Sequence, residues 1–262
     1  AARLTEGGRL AEPKDHGRFV WHDLLTTDPE AAAVFYARLF GWSTAPYEVP
    51  GITTLTIWTA GDVPVASPTR LAGEPWAVAA GLGPHWLSYV GASDVDATVA
   101  EAERLGARVL APAMDVPNIG RYAVLTDPQG AVFAAFRPAA ILPAAPQPGR
   151  IDWCELATTD PRAALGFYSA LFGWVEMGAV EDPADGTATA LIFGRPREAP
   201  LGVIRRMTLG EPHPMWLCCT SVDDVARALM VYLEHYELTG DTTSLAHARD
   251  AHQQHIALAP VL

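Results

Sequence analysis

An internal duplication dominates the sequence of this 262-residue chain. Residues 18–42 (RFVWHDLLTTDPEAAAVFYARLFGW) recur as residues 150–174 (RIDWCELATTDPRAALGFYSALFGW). Matched residues are 132 positions apart, as Trp21 and Trp153 are. A match of this length at a constant separation does not arise from composition, so the chain is predicted to contain two copies of one structural unit.

Each copy is itself doubled. Residues 85–106 repeat the strand-then-helix pattern inside the first copy, and residues 215–233 do so inside the second. Four modules are therefore predicted, each with a strand of about six residues, an N-capping Asp and an apolar helix. The capping residues are Asp28, Asp94, Asp160 and Asp224. Short β-rich segments follow each helix, and the DPQG sequence at 127–130 predicts a hairpin turn.

These repeats predict two domains, 18–138 and 150–262, joined by a Pro- and Ala-rich linker at 139–149. The second domain has an atypical end, because residues 234–262 contain no counterpart of the DPQG hairpin. This tail is either a native replacement helix or a frame-shifted remnant. Three of its four histidines could suggest a metal site, but their separations of five and three positions do not place them on one helical face: His247, His252 and His255.

Composition excludes several classes of function. Thirty acidic residues against 18 basic ones give a net charge of −12, which disfavours nucleic acids and anionic membranes as partners. Three cysteines do not make a disulfide framework, the N-terminal residues contain no apolar core of signal-peptide length, and no stretch of about 18 apolar residues occurs. A cytoplasmic protein is expected. The sequence also contains no Gly-rich phosphate loop, nucleophile elbow or HExxH helix.

The doubled β-α-β-β-β pattern, with TTDPEAAAVFYARLFGW at 26–42 and DVPNIGRYAVLTDPQGAVFAAF at 115–136, resembles the vicinal oxygen chelate superfamily. That group includes glyoxalase I, ring-cleaving dioxygenases and bleomycin-resistance proteins. The resemblance covers residues 18–235 and extends to two-domain actinobacterial proteins, among them accessory proteins of anthracycline clusters. It implies an α+β fold of tandem glyoxalase-like domains, each a cupped mixed sheet of paired modules with helices outside and a ligand cleft inside.

Metal-dependent members of that superfamily carry ligands on the first strand of a module, seven residues before the capping Asp, and four residues after the glycine of the terminal DPxG turn. The corresponding positions here are Trp21, Leu87, Trp153, Leu217 and Ala134. None of these side chains binds a divalent ion, so neither a metal nor another cofactor is expected. His22 is adjacent to one such position, but neighbouring strand residues face opposite sides, and its repeat partner is Cys154. Cys218 and Cys219 have no activating partner visible in the sequence and are expected to be small buried residues.

Alternation along the strands places a mostly apolar and aromatic set of side chains on the inward faces. The candidate ligand-binding residues are Trp21, Asp23, His85, Leu87, Tyr89, Ala134 and Phe136 in the first copy, with Trp153, Glu155 and Cys219 in the second. Such a lining favours a flat aromatic compound, and an acid among aromatic rings can bind a phenol or a protonated amine. The same residues are also compatible with a cleft that has lost its function, in which these side chains fill the interior.

The leading hypothesis is metal-independent binding of an aromatic secondary metabolite or polyketide antibiotic. The protein would sequester this ligand, giving self-resistance, or present it to a biosynthetic enzyme as an accessory protein. The alternative is an enzyme, either a glyoxalase-type lyase or isomerase or a hydroxylase-like oxygenase, using an unconventional metal or Asp23 and Glu155 as acid–base groups. A third possibility is an interaction protein with a vestigial cleft. No catalytic residue is assigned, and the chain is expected to be a monomer or a homodimer.

Overall fold

The computed structural model describes residues 14–48, 54–139, 151–181 and 188–220. The first copy contains β1 (Phe19–Thr26), α1 (Pro29–Phe40), β2 (Ser43–Glu48), β3 (Thr54–Ala60), β4 (Val63–Arg70), α2 (Pro75–Ala79), β5 (His85–Gly91), α3 (Val95–Arg104), β6 (Arg108–Val116), β7 (Gly120–Thr126) and β8 (Val132–Pro138). The second copy contains β9 (Ile151–Thr158), α4 (Pro161–Phe172), β10 (Val175–Glu181), β11 (Ala188–Gly194), β12 (Pro200–Arg206) and β13 (Met215–Thr220).

The two copies form two mixed sheets with the same local topology. The first sheet has eight strands in the order β2-β3-β4-β1-β5-β8-β7-β6, and the second has five in the order β10-β11-β12-β9-β13. In each sheet the first strand of the copy runs parallel to the last strand of its own module and antiparallel to the first strand of the next module. The predicted α+β fold of β-α-β-β-β modules is confirmed, with three modules described in full and the fourth by its first strand, β13.

Residues 140–150 and 221–262 are outside the described residues. The predicted linker lies in the first of these ranges apart from residue 139, and the remainder of the fourth module lies in the second. The two explanations for the tail at 234–262, the interpretation of His247, His252 and His255, and the domain boundaries therefore stay predictions.

Aspartates begin the three module helices, as the sequence predicts. Asp28, Asp94 and Asp160 each accept a hydrogen bond from a backbone N–H in the first helical turn, at 3.0, 3.0 and 3.1 Å. Gly41 and Gly173 end α1 and α4 with φ of 69° at both positions, a left-handed conformation that glycine adopts without steric cost. The fourth predicted cap, Asp224, is outside the described residues.

A shared aromatic core joins the two copies. The ring of Phe133 on β8 lies 6.0, 5.4 and 6.1 Å from the rings of Phe167, Tyr168 and Phe172 on α4. Phe19 on β1 packs in the same way against Trp174 and other aromatic residues of the second copy. Each fully buried ring of this kind contributes about 1.5–3 kcal/mol, so the contact between the copies is a true hydrophobic core.

The DPQG turn fixes the first copy to the start of α4. Asp127 Oδ1 accepts the three backbone N–H groups of the turn, and its Oδ2 accepts the hydroxyl of Tyr168 at 3.1 Å. Burial raises the pKa of the Asp127 carboxyl despite these bonds. Gln129 Oε1 accepts the backbone N–H of Asp160 at 2.7 Å. The predicted hairpin turn is therefore also an interface element.

Among the described residues, no helix combines the length and the apolar character needed to cross a membrane.

Candidate functional site

The inward-facing residues predicted for the first copy lie together on one face of the eight-stranded sheet, here called the inner face. Trp21 on β1 is opposite Tyr89 on β5, and Tyr89 is opposite Ala134 on β8. Leu87 and Ala134 belong to one buried apolar cluster on this face. Phe136 contacts Tyr89 with ring centroids 5.7 Å apart. The alternation predicted from the sequence therefore places these side chains as expected.

Asp23 is the polar centre of the inner face. Its Oδ1 accepts the indole N–H of Trp21 at 3.0 Å, and its Oδ2 accepts the hydroxyl of Tyr89 at 2.7 Å. The Trp21 N–H also points to Ser67 Oγ on β4 at 3.2 Å. Burial raises the pKa of Asp23 to about 6 and outweighs these hydrogen bonds, with a further small rise from the charge of Glu74. The Asp23 carboxyl therefore changes its charge close to neutral pH.

Tyr89 remains a hydrogen-bond donor over the whole physiological range. Burial, and then the neighbouring charge of Asp23, raise the pKa of its hydroxyl well above the ordinary value. The ring of Tyr122 on β7 lies 6.0 Å from that of Tyr89. A donor hydroxyl, a titratable acid and several aromatic faces thus share one site.

A segment between β4 and β5 covers the inner face, and the sequence analysis did not assign it. This covering segment, residues 71–82, consists of a 3-10 turn at Leu71–Gly73 followed by α2. Leu71 and Ala77 are buried in the same cluster as Leu87, and Trp76 packs against that cluster. Two signals were available: Pro75 occupies the first helical turn of α2, and Gly81 follows its end with φ of 68°.

His85 contributes an unsatisfied polar atom to this site. Its Nδ1–H donates to the carbonyl of Gly83 at 2.8 Å, and burial lowers the pKa of the imidazole, so the ring is neutral. The other nitrogen, Nε2, is then an acceptor. It is buried and has no hydrogen-bond partner among the described residues. A buried acceptor without a donor is costly unless an external group satisfies it.

The second copy brings its predicted residues together but pairs the acid differently. Trp153 and Glu155 lie on one face of β9, and Cys219 on β13 is opposite Trp153. Arg205 on β12 donates to Glu155 and also to Glu211, the latter through Nη1 at 2.8 Å. Burial opposes the charge of Arg205, but its acidic partners keep the guanidinium pKa above its ordinary value. Glu155 is therefore held in an ion pair, whereas Asp23 receives only neutral donors.

His22 faces away from the inner face, as predicted, and is 4% exposed. Its Nδ1 lies 3.3 Å from Cys218 Sγ and 3.3 Å from Ser88 Oγ. The sequence showed no activating partner for Cys218 because this contact joins residues 196 positions apart. The expectation that Cys218 and Cys219 are buried is wrong, since both are half-buried. Although burial raises the pKa of the Cys218 thiol, its contacts with Cys154 and His22 outweigh burial and lower it.

The positions at which metal-dependent superfamily members carry ligands do not fit a metal here. Trp21, Leu87 and Ala134 occupy them on the inner face. The indole N–H of Trp21 is a donor already used by Asp23, and the other two side chains are hydrocarbon. These three positions therefore offer no ligand to a metal ion.

Residues 19–136 match the family described as a glyoxalase-like domain. Over 123 residues the chain is 37% identical to the putative glyoxylase CFP32 of Mycobacterium bovis, which covers 47% of this chain and 45% of that protein. It is 32% identical over 219 residues to the anthracycline biosynthesis protein DauV of Streptomyces sp. (strain C5), covering 79% of this chain and 78% of that one. With DnrV of Streptomyces peucetius, also an anthracycline biosynthesis protein, the identity is 30% with the same coverage. The chain thus spans less than half the length of the mycobacterial relative.

Two solved structures share the fold. A Mn(II)-bound glyoxalase from Novosphingobium aromaticivorans superposes with a TM-score of 0.53 at 17% identity, over 82% of this chain and 70% of that one. An extradiol ring-cleaving dioxygenase from B. fuscum gives a TM-score of 0.56 at 18% identity, over 87% and 65%. At these identities the similarity concerns the fold alone.

Proposed function

Because this chain belongs to the glyoxalase-like proteins of the vicinal oxygen chelate superfamily, we propose that its first copy binds an aromatic small molecule without using a metal ion. The ligand class is a secondary metabolite, in particular a polyketide antibiotic. Binding serves either to sequester the compound or to present it to a biosynthetic enzyme. Two relatives that align over most of their length are named as anthracycline biosynthesis proteins, which supports this class.

The observation that carries the proposal is the Asp23 network among aromatic rings. Trp21 and Tyr89 orient the carboxyl, and Tyr122 and Phe136 add aromatic faces next to Tyr89. Aromatic contacts of this kind contribute about 0.5–1.5 kcal/mol each beyond the burial of area. The site combines extended apolar surface with a few fixed polar groups, which is the composition of small-molecule pockets.

The polar groups match the substituents of a polycyclic aromatic compound. Asp23 accepts from a phenol or a protonated amine, and the unsatisfied Nε2 of His85 accepts from a hydroxyl. Leu25 on β1 is opposite His85 on β5, and Asp23 is two positions from Leu25. The Asp23 carboxyl and the His85 imidazole are therefore separated by about 7 Å along the strands. A fused ring system spans such a distance.

Ligand entry requires the covering segment to move. Its helix α2 has five residues, and a helix this short has little stability of its own. The segment is attached to the inner face by the packing of Leu71, Ala77 and Trp76. An aromatic ligand that replaces the Trp76 indole would recover the same kind of contact, so displacement of the segment has a modest net cost.

Fluorescence titration of the full chain tests the proposal. Addition of anthracyclines and related polyketides is expected to give saturable quenching of tryptophan fluorescence at one ligand per chain. Asp23→Asn is expected to weaken binding of an amine-bearing ligand by about tenfold, since it removes one charge-assisted hydrogen bond. The matched control is Glu155→Gln, which changes the equivalent acid of the second copy and should leave the affinity unchanged.

Three results would overturn the proposal. They are absence of saturable quenching across the panel, equal losses from Asp23→Asn and Glu155→Gln, and loss of affinity when metals are removed from a chain that stays folded. The last result would refute metal independence specifically.

An enzymatic role is the second candidate, and the pKa of Asp23 favours it. A carboxyl that titrates at about 6 can give and take a proton near neutral pH, which general acid–base catalysis requires. Incubation of bound compounds with the full chain, followed by chromatography and mass spectrometry, tests this role. A product that forms with the wild type and is lost with Asp23→Asn would assign an enzyme, whereas unchanged compounds would leave binding as the function.

A further inference from the structure

We propose that the cluster of His22, Cys154, Cys218 and Ser88, on the side of the sheets opposite the inner face, is a zinc site that joins the two copies. The site lies outside the ligand-binding face, so the inference goes beyond the proposed function. It also departs from the expectation of no metal, which was based on the inner-face positions.

The donor atoms of His22, Cys218 and Ser88 lie close to the separations that a tetrahedral zinc ion requires, and that of Cys154 lies nearby. His22 Nδ1, Cys154 Sγ and Cys218 Sγ all lie within 4.8 Å of one another, and within the described part of the chain no other three ligands of this type come together. His22 Nδ1 lies 3.3 Å from Cys218 Sγ, and Ser88 Oγ lies 3.3 and 3.4 Å from these two atoms. With Zn–S of about 2.3 Å and Zn–N of about 2.0 Å, tetrahedral ligand atoms are about 3.3–3.8 Å apart.

Charge and burial select zinc among the available cations. His22 and Cys154 are 4% and 1% exposed, so an ion here is largely removed from water. Two thiolates and a neutral imidazole around Zn²⁺ give a site with no net charge, which limits the desolvation penalty. Cu⁺ would leave a net negative charge, and Mg²⁺, Ca²⁺ and Mn²⁺ prefer oxygen ligands. Binding forms two Zn–S bonds and releases the thiol protons to solvent.

The duplication itself explains why these side chains meet. His22 and Cys154 are equivalent positions of the repeat, and so are Ser88 and Cys218. His22 pairs with Ser88 across β1 and β5, and Cys154 pairs with Cys218 across β9 and β13. Each copy thus contributes one strand pair, and all the ligands are on rigid strands, which preorganises the site.

Zinc and cobalt binding to the reduced, metal-free full chain tests the site. Zinc titrated against a competing chelator is expected to bind one equivalent per chain with a dissociation constant of about 10 nM or tighter. Cobalt is expected to produce a thiolate-to-metal charge-transfer band and the intense visible absorption of tetrahedral coordination. Cys218→Ala should weaken zinc binding by about 100-fold or more, whereas Ser88→Ala should weaken it by about tenfold because water replaces the hydroxyl.

Cys219→Ala is the matched control, because Cys219 is adjacent in sequence but on the opposite face of β13. It should leave zinc affinity unchanged. Zinc should also raise the Tm of the wild type and of Cys219→Ala by several degrees without affecting Cys218→Ala. Circular dichroism verifies that each variant is folded, and Cys154→Ser replaces Cys218→Ala if the latter unfolds.

The proposal is overturned by failure of the reduced wild type to bind one equivalent of zinc, or by equal losses of zinc affinity in the Cys218 and Cys219 variants. None of these outcomes bears on ligand quenching at the inner face, so the two proposals fail independently.

Discussion

The first strands of the two copies carry an acid at the same position, but the surroundings of the two acids differ. Asp23 accepts hydrogen bonds from Trp21 and Tyr89, which are neutral, and its pKa is raised to about 6. Glu155 is paired with Arg205 on the neighbouring strand. The acid occupies the same position in both copies, and residues on the adjacent strands decide whether it receives hydrogen bonds from neutral donors or forms an ion pair.

The two copies also differ in the connection between their modules. This connection runs from β4 to β5 in the first copy and from β12 to β13 in the second. In the first copy it comprises residues 71–84, which include α2, and in the second it comprises residues 207–214. Both contain a Gly-Glu-Pro sequence. Glu74 of the first accepts the indole N–H of Trp76 at 2.6 Å, whereas Glu211 of the second accepts from Arg205. One connection builds a cover over a potential ligand site, and the other completes an ion-pair network.

Arg205→Met is expected to have the largest effect, because it leaves two acids of the second copy without their cation. Arg205, Glu155 and Glu211 have side chains that are 20%, 22% and 10% exposed. Breaking a pair buried to this extent costs about 3 kcal/mol of unfolding free energy. Urea unfolding at pH 7 measures the loss, and the exposed neighbour Arg206→Met is the control, with an expected change within about 0.5 kcal/mol.

The pH dependence of this loss has a definite sign. Burial opposes ionisation of Glu211, but its hydrogen bonds with Arg205 hold the carboxyl pKa below the ordinary value of 4.5. The stabilisation is therefore present above that value and disappears as the pH falls through the lower folded pKa. The difference between Arg205→Met and the wild type should shrink in acid. A difference that is independent of pH would contradict the ion-pair account.

Asp23→Asn is expected to change stability in the opposite direction. The pKa of Asp23 is raised from 3.8 to about 6, so the folded state binds its proton more tightly than the unfolded state does. Its contribution to stability is full below pH of about 4 and is lost as the pH rises to about 6. At about 1.4 kcal/mol per pKa unit this shift amounts to about 3 kcal/mol, which is the upper limit of the stabilisation expected from Asp23→Asn at pH 8.

Urea unfolding between pH 4 and pH 8 tests this prediction against Glu155→Gln. The Glu155 variant should destabilise the chain at pH 8, because it removes one partner of Arg205. If both variants lower the stability by similar amounts, the two acids have equivalent surroundings and the comparison between the copies is wrong.

Sequence alternation was sufficient to place the inner face. A period of two fixes which side chains share a side of a strand, so Trp21 and Asp23 were assigned inward and His22 outward without knowledge of the sheet order. The fold could also be predicted, because the repeat and the capping aspartates can be read directly from the sequence.

Contacts between strands that are far apart in the sequence could not be predicted in this way. Arg205 meets Glu155 only because β12 runs parallel to β9, and the sequence does not specify that register. Cys218 meets His22 only through packing of one copy on the other. The covering segment had a Pro and a Gly as boundary signals, but nothing in the pattern indicated that α2 would fold back over the sheet.

Tyr89→Phe is expected to have a smaller effect, confined to the titration of Asp23. The Tyr89 hydroxyl donates to Asp23 at 2.7 Å and lowers the carboxyl pKa, so its removal should raise that pKa further. The indole N–H of Trp21 donates a hydrogen bond to the same carboxyl, so tryptophan fluorescence as a function of pH reports the change in the Asp23 pKa. Tyr122→Phe is the control, since the ring contacts Tyr89 without bonding to Asp23. An unchanged fluorescence midpoint in Tyr89→Phe would contradict the assigned network.

The smallest expected effect concerns the cover that only the first copy has. Gly81 has φ of 68°, and an added Cβ would meet no atom within 4 Å, so Gly81→Ala introduces backbone strain without a steric clash. Backbone strain of this kind costs about 1 kcal/mol and destabilises the folded conformation of the covering segment. Hydrogen exchange should therefore accelerate in residues 71–82, and association of a ligand with the inner face should become faster. Gly83→Ala is the matched control, because Gly83 lies in the same connection in equally open space but without a positive φ. Acceleration that spreads over the whole eight-stranded sheet would show that the covering segment does not open independently, and the difference between the two connections would then have no role in access to the site.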